Sequence, residues 1–317
     1  VRVVSLLPSA TEIVAALGAM DQIVGVTHEC DFPVEVASRA RVTACDVDAD
    51  ATPGAIDEQV RTLTGEGRSL YTLDETLIRA LRPDLILTQA LCDVCAVMET
   101  DVRALAGRLT PVPAVVSLSA TTLDGVFADI ERAGAAIGRE AEAANLVGAL
   151  RRRMRAVHDT LSAARAPRPR VAVIEWTDPV FAAGHWVADM VRRAGGIDVL
   201  ATGGEHSRVV PIERIDEANA EIVIFAPCGY GLEHAANEAR VLLRDPDWSF
   251  LGGCDVWALD ANALTSRPGP RLVDGIEVMA RIFNASLFAP IDATQALVVR
   301  NDRQLPRSFT ARVSPMT

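Results

Sequence analysis

The sequence predicts an α/β protein of two lobes, each a largely parallel sheet covered by helices, with a long helix between them. An imperfect repeat is the first sign. Residues 73–88 and 211–225 each read as a short helix, a turn and a buried strand, Leu85-Ile86-Leu87-Thr88 in one and Ile222-Val223-Ile224-Phe225 in the other. Each strand then runs into polar residues and a thiol. Second, short apolar runs alternate with helix-length periodic segments, the pattern of parallel strands with helical crossovers. Third, Ala143, Leu146, Leu150, Met154, Val157 and Leu161 recur three or four apart, one apolar stripe on a solvated rod.

The first lobe, residues 1–120, opens with a strand at 3–7. Ser9-Ala10-Thr11-Glu12 then reads as a capping box, in which serine and glutamate satisfy each other's orphan amides. Gly18 ends that helix, and residues 22–26 form a second strand. Helices follow at 55–63 and 74–81, then a strand at 85–88, a helix at 97–108 and a strand at 114–118. The connecting segment, 121–166, is helical to about 137, breaks at Gly138-Arg139 and resumes to about 164. Roughly 25 residues at about 1.5 Å each give a rod of about 37 Å, which predicts little hinge motion. Pro167-Arg168-Pro169 stops it. The second lobe, 167–290, has strands at 171–175, 222–225 and 256–259 and helices at 185–194 and 271–283. Residues 291–317 read as a polar, irregular tail that covers a surface.

At 317 residues, half of them hydrophobic, the chain is long enough for about two domains with ordinary cores. No apolar run reaches the roughly 20 residues that span a bilayer. A net charge of −11 argues against a nucleic-acid partner, which needs basic patches. Every fixed cation is an arginine, because the sequence has no lysine. The first strand follows directly on Arg2 with no signal peptide in view. Six cysteines, two of them in Cys92-Asp93-Val94-Cys95, fit a reducing compartment better than a disulfide framework. Both features point to the cytoplasm, or to a periplasmic or other extracytoplasmic site if the chain is a trimmed mature form.

Chemistry-bearing residues cluster on loops past the carboxyl ends of the expected strands, where open α/β sheets bind ligands. In the first lobe these are His28-Glu29-Cys30-Asp31 and the stretch from Gln89 to Cys95. In the second they are Trp176, His185-Trp186, Cys228, Asn262, Arg267 and Arg271. His28, Cys92, Cys95 and Cys228 supply soft ligands for zinc or iron, and Cys30 stands beside them. The lone Cys-x-x-Cys has no partner pair at zinc-finger spacing, so small buried thiols filling loop interiors explain the same residues. Trp176 and Trp186 either stack on a flat ligand or pack loop on lobe. His185 is expected to start a helix, whose dipole would keep its ring neutral. Arg267 and Arg271 are placed to clamp amide or phosphate oxygens. With no Gly-x-Ser-x-Gly elbow, phosphate-binding Gly-rich loop or His-Glu-x-x-His, no reaction is identified. A metal- or cluster-dependent enzyme using the Cys/His-rich cleft stays as an alternative.

The opening Val3-Val4-Ser5-Leu6-Leu7-Pro8-Ser9-Ala10-Thr11-Glu12 resembles that of the iron-siderophore and cobalamin substrate-binding proteins of ABC importers. Val24-Gly25-Val26 with Asp31-Phe32-Pro33, Leu81-Arg82-Pro83-Asp84-Leu85-Ile86-Leu87 and Ala194-Gly195-Gly196 extend the likeness over about residues 3–288. His28-Glu29-Cys30-Asp31, Cys92-Asp93-Val94-Cys95-Ala96-Val97, Gly184-His185-Trp186-Val187 and Ser266-Arg267-Pro268-Gly269-Pro270-Arg271 are similar to a branch labelled cobalamin-binding. The resemblance implies two Rossmann-like lobes of the class III binding-protein type, no catalysis, and cobalamin or a related corrinoid held between the lobes. The residues it puts against that ligand are His28, Glu29, Cys30, Gln89, Cys92, Trp176, His185, Trp186, Cys228, Asn262, Arg267 and Arg271. It also implies an ABC permease as partner, met by one docking glutamate on each lobe. Glu213 fits that position in the second lobe; in the first the match is Thr76, with Glu75 one residue and about 100° of helix away. This departure implies ligand binding without delivery to a transporter. Iron-siderophore binding is a further alternative, although no basic cluster for an anionic chelate is evident.

Overall fold

The chain enters its first sheet at the centre. In the computed structural model, which describes residues 1–66, 68–90 and 97–299, β1 (Val3–Ser5) leads into α1 (Pro8–Ala16) and β2 (Ile23–Val26). Then come β3 (Ala40–Arg41), β4 (Thr43–Cys45), α2 (Pro53–Gly65), β5 (Tyr71–Leu73), α3 (Glu75–Leu81), β6 (Leu85–Thr88), α4 (Glu99–Ala106) and β7 (Ala114–Ser117). The sheet order is β3-β2-β1-β6-β7, every neighbour parallel. β1 and β6 are buried throughout, which is why they read as unbroken apolar runs rather than alternating ones. Gly25 lets α3 close on the sheet, since a Cβ there would lie 2.9 Å from both Leu81 and Val42. β4 and β5 pair separately as an antiparallel ribbon, with α2 in the connection between them.

The rod is α5 (Leu123–Ala136) and α6 (Glu140–Ala163), parted by Gly138 at φ +70° as its sequence position predicts. α6 buries Ala143, Val147, Leu150, Met154 and Val157, close to the expected stripe. Its Arg153 donates to Asp274 (2.5 Å) and Glu277 (2.9 Å) of the second lobe.

That lobe comprises β8 (Arg170–Thr177), β9 (Val180–Ala182), α7 (Val187–Arg193), β10 (Ile197–Asp198), β11 (Arg208–Val209), α8 (Ile212–Glu217), β12 (Ile222–Phe225), α9 (Leu232–Leu242), β13 (Asp255–Leu259), α10 (Ala261–Leu264), α11 (Leu272–Phe283) and β14 (Ala296–Val298). Its order is β11-β9-β8-β12-β13-β14, with β10 alongside the start of β8. The expected parallel sheet is mixed here. β8, β12 and β13 run parallel, whereas β9, β11 and β14 are antiparallel additions at the edges. β14 also gives regular structure to a segment expected to be irregular, because residues 296–298 find the open edge of β13.

The repeat seen in the sequence is a repeat of structure. α3–β6 and α8–β12 each put their strand in the middle of a parallel trio. Each helix is followed by a left-handed residue, Arg82 (φ 45°) and Asn219 (φ 48°). Each is anchored by an arginine at the start of the lobe's first strand. Arg2 donates to Leu81 O (2.6 Å) and Arg170 to Ala218 O (2.6 Å), cations at the negative ends of α3 and α8. The backbone N–H of Arg2 donates to Asp84 and that of Arg170 to Glu221, both at 2.8 Å. One apolar core runs unbroken from Ile13 and Phe127 through Leu150 to Val191 and Met279, so the rod is cemented into both lobes.

Candidate ligand cleft

The cleft lies where the carboxyl ends of the two sheets face each other. Its floor is a charged seam that the sequence disguised. α1 begins at Pro8, with Leu7 before it and no side-chain cap among the described residues. The Ser9–Glu12 capping box therefore does not form. Glu12, 2% exposed, instead reaches the connection between α10 and α11 in the other lobe. Arg271 donates from Nε to Glu12 Oε2 (2.8 Å) and from Nη2 to Glu12 Oε1. Arg267 donates to Glu12 Oε1 (3.2 Å), to both oxygens of Asp31 (3.2 Å to Oδ2) and to Glu29 O (3.3 Å). The Arg271 guanidinium also lies 4.3 Å from the centre of the Phe32 ring. Arginine suits this post, since its planar fork can hold a carboxylate by two bonds at once. Burial pushes Asp31 up, but the bonds and charge of Arg267 outweigh it and hold the carboxyl below its ordinary range. Glu29 is pushed up by desolvation, against the pull of Arg267 and of the Tyr71 hydroxyl, which donates to it at 3.4 Å.

At the mouth the lobes meet again. Asp178, in the tight turn between β8 and β9, sits against Gly54 in the first turn of α2, where a Cβ would come 2.3 Å from its carboxylate oxygen. A cavity of about 650 Å³ opens there, lined by Gly54, Asp57, Glu58, Arg61 and Thr62 of α2 and by Asp178 and Pro179. That volume is in the usual range for a small-molecule site. Its rim is acidic, and Arg61 leans toward Asp57 at 3.7 Å.

The residues singled out from sequence do not all reach this space. Cys30 is 1% exposed, its Sγ held between the hydroxyls of Thr11 and Thr27, each at 3.2 Å. It packs a loop interior rather than facing a ligand. Trp186 is also an interior residue, 5% exposed, with its indole N–H donating to Thr265 O at 2.7 Å. Trp176 is only half-buried, braced by its indole N–H on Asp178 O (3.0 Å) and by Tyr230 at 5.4 Å between ring centres. Tyr230 in turn stacks on His234 at 3.6 Å. His185 precedes α7 in a left-handed conformation (φ 54°) instead of starting the helix. Its ring meets His206 at 3.1 Å, and burial, then His206, lowers its pKa. His28 is exposed, its Nδ1 2.7 Å from the Thr43 hydroxyl, and burial and Arg41 lower its pKa. Asn262 donates to Gly229 O (3.0 Å), next to the exposed Cys228, and Gln89 is buried at the end of β6. Cys92 and Cys95 lie outside the described residues. Among the described residues no three His, Cys, Asp or Glu side chains converge as a metal site. Glu213 is exposed in the first turn of α8, while Glu75 pairs with Arg108 at 2.5 Å and Thr76 beside it is exposed. Sequence reasoning read Glu12 only as a helix cap, and it placed Asp31, Asp178 and Tyr230 on candidate loops without giving them a role.

A model of the periplasmic binding protein family matches residues 3–251. A vitamin B12-binding protein of Vibrio cholerae is 25% identical over 283 residues, 87% of this chain and 86% of that protein. An ABC transporter substrate-binding lipoprotein of Bacillus subtilis is 24% identical over 291 residues, 88% of this chain and 78% of its own. A periplasmic heme-binding protein from Pseudomonas aeruginosa has the same fold, with a TM-score of 0.69 at 21% identity over 95% of this chain and 98% of its own. The periplasmic vitamin B12-binding protein of V. cholerae gives 0.61 at 22% identity over 90% and 97%. These findings overturn the cytoplasmic expectation, since the relatives are periplasmic binding proteins and a lipoprotein of ABC importers. Cys30, one of the six thiols behind that expectation, packs between two threonines and needs no reducing compartment. No helix among the described residues is long and apolar enough to cross a membrane.

Proposed function

The chain belongs to the periplasmic binding protein family, and on that footing we propose that it binds a corrinoid in the cleft between its lobes and delivers it to an ABC permease. The family consists of ligand-binding proteins of ABC importers and not of enzymes, so the metal-dependent enzyme alternative falls away. The observation that carries the corrinoid reading is the charge of the cleft. Asp57, Glu58 and Asp178 line the cavity against Arg61, and Arg267 and Arg271, in the separate seam between the lobes, are already paired with carboxylates. Such a cleft favours a neutral or cationic ligand rimmed with amides over heme, which carries two carboxylates, or an anionic iron chelate. The likeness to a vitamin B12-binding protein, over 87% of this chain and 86% of that protein, supports the same ligand. Trp176, the amide of Asn262 and the rim carboxylates are the contacts proposed for it, and Cys228 and His28 stand near enough to the cleft loops to be tested beside them. Glu213 is proposed as the docking glutamate of the second lobe. Titration calorimetry and visible spectra with cyanocobalamin provide the test. Saturable, stoichiometric binding is expected, and no uptake at tens of micromolar would refute the reading.

A further inference from the structure

We infer that Glu12, backed by Asp31, sets the charge class of the ligand this cleft accepts. The inference rests on the cleft being the ligand site and extends it to a residue that decides selectivity. Arg267 and Arg271 lie in the connection between α10 and α11, on the carboxyl-end side of β13. Left alone they would be two guanidinium forks aimed across the cleft, suited to ligand carboxylates. Glu12 prevents this by taking both forks at once, with three hydrogen bonds to its two oxygens. Asp31 completes the neutralisation by accepting from Arg267 on both oxygens. Two cations thus face two carboxylates, all supplied by the protein, and none of the positive charge is left for a guest.

Once the Glu12 charge is removed, Arg271 keeps the Asn262 carbonyl at 3.4 Å, the Phe32 ring and the more distant charge of Asp31. A carboxylate on a tetrapyrrole in the cleft is then attracted by two guanidiniums whose charge Glu12 no longer cancels. A corrinoid rimmed by amides gains much less from the freed cation. Glu12 is therefore a selectivity device built from a residue that itself touches only protein.

The test compares wild type with Glu12→Gln and Asp31→Asn, titrated with cyanocobalamin and with protoheme by absorbance, each variant checked for folding by circular dichroism. Glu12→Gln should bind protoheme about tenfold more tightly than wild type, with cobalamin affinity within about threefold. Asp31→Asn, whose side chain is 60% exposed, should give a smaller gain in the same direction. A folded Glu12→Gln protein with unchanged protoheme affinity overturns the inference. If Glu12→Gln does not fold, an unchanged protoheme affinity in Asp31→Asn overturns it. A wild-type protein that ignores cobalamin refutes the corrinoid reading alone, since the protoheme ratio between variant and wild type still judges Glu12.

Discussion

The two lobes are alike at their bases and opposite in charge at the cleft. At the base, Arg2 and Arg170 repeat the same bonds to a helix end and to a carboxylate, Asp84 or Glu221. At the cleft the first lobe presents Glu12 and Asp31, and the second answers with Arg267 and Arg271. The likeness at the base serves each half's own fold. The contrast at the seam serves what lies between the halves, because complementary charge draws the jaws onto each other and leaves no free cation there for a guest.

The largest test of that contrast is Glu12→Ala. Breaking a buried pair strands its partners, so a loss of about 3–5 kcal/mol is expected in denaturant melts. A loss under about 1 kcal/mol would mean that the seam contributes nothing. Next is the pair of tryptophans that the sequence treats alike. Trp186→Phe leaves the buried Thr265 carbonyl without its donor and should cost about 1–3 kcal/mol while ligand affinity holds. Trp176→Ala should do the reverse, weakening ligand binding with little change in melting. At the base, Arg2→Ala and Arg170→Ala should each cost about 1 kcal/mol, and costs that differ by more than that would break the equivalence of the repeats.

The remaining effect, confined to a pH window, concerns Asp198, beside β8 in the second lobe. Burial pushes its pKa up to about 6, even though the Leu200 and Ala201 amides donate to Oδ1 at 2.9 Å; Oδ2 is buried with no partner among the described residues. The folded protein therefore keeps a proton that the unfolded chain loses from about pH 4 upward. Stability falls as pH rises from about 4 to about 6, and the deficit is complete above that. Asp198→Asn should be more stable than wild type by up to about 3 kcal/mol near pH 7.5 and equally stable near pH 4.

The parts of the fold legible in the sequence were those fixed by local chemistry. Gly138 parts the rod helices where a left-handed residue was needed, and the buried strands β6 and β12 read as apolar runs. β9, β11 and β14 were not legible, because strands of two or three residues pair only after the sheet edge exists to receive them. The site was harder still. Glu12 is 255 positions from Arg267 and 259 from Arg271, and its spacing from Ser9 imitates a cap. The available signal was Pro8, which favours the first helical position and so moves the cap back to Leu7. His185 misled in a similar way, since its left-handed turn is set by the loop from Glu205 to Ser207 that crowds Gly184.

The unbroken apolar core through the rod has a thermodynamic consequence. Two modules on a flexible tether would melt independently, each with its own heat-absorption peak. Here Leu150 and its neighbours belong to both modules at once, so neither can lose its packing without stripping the other's. Calorimetry should record one cooperative endotherm, and a guest seated between the jaws should raise it as a single unit.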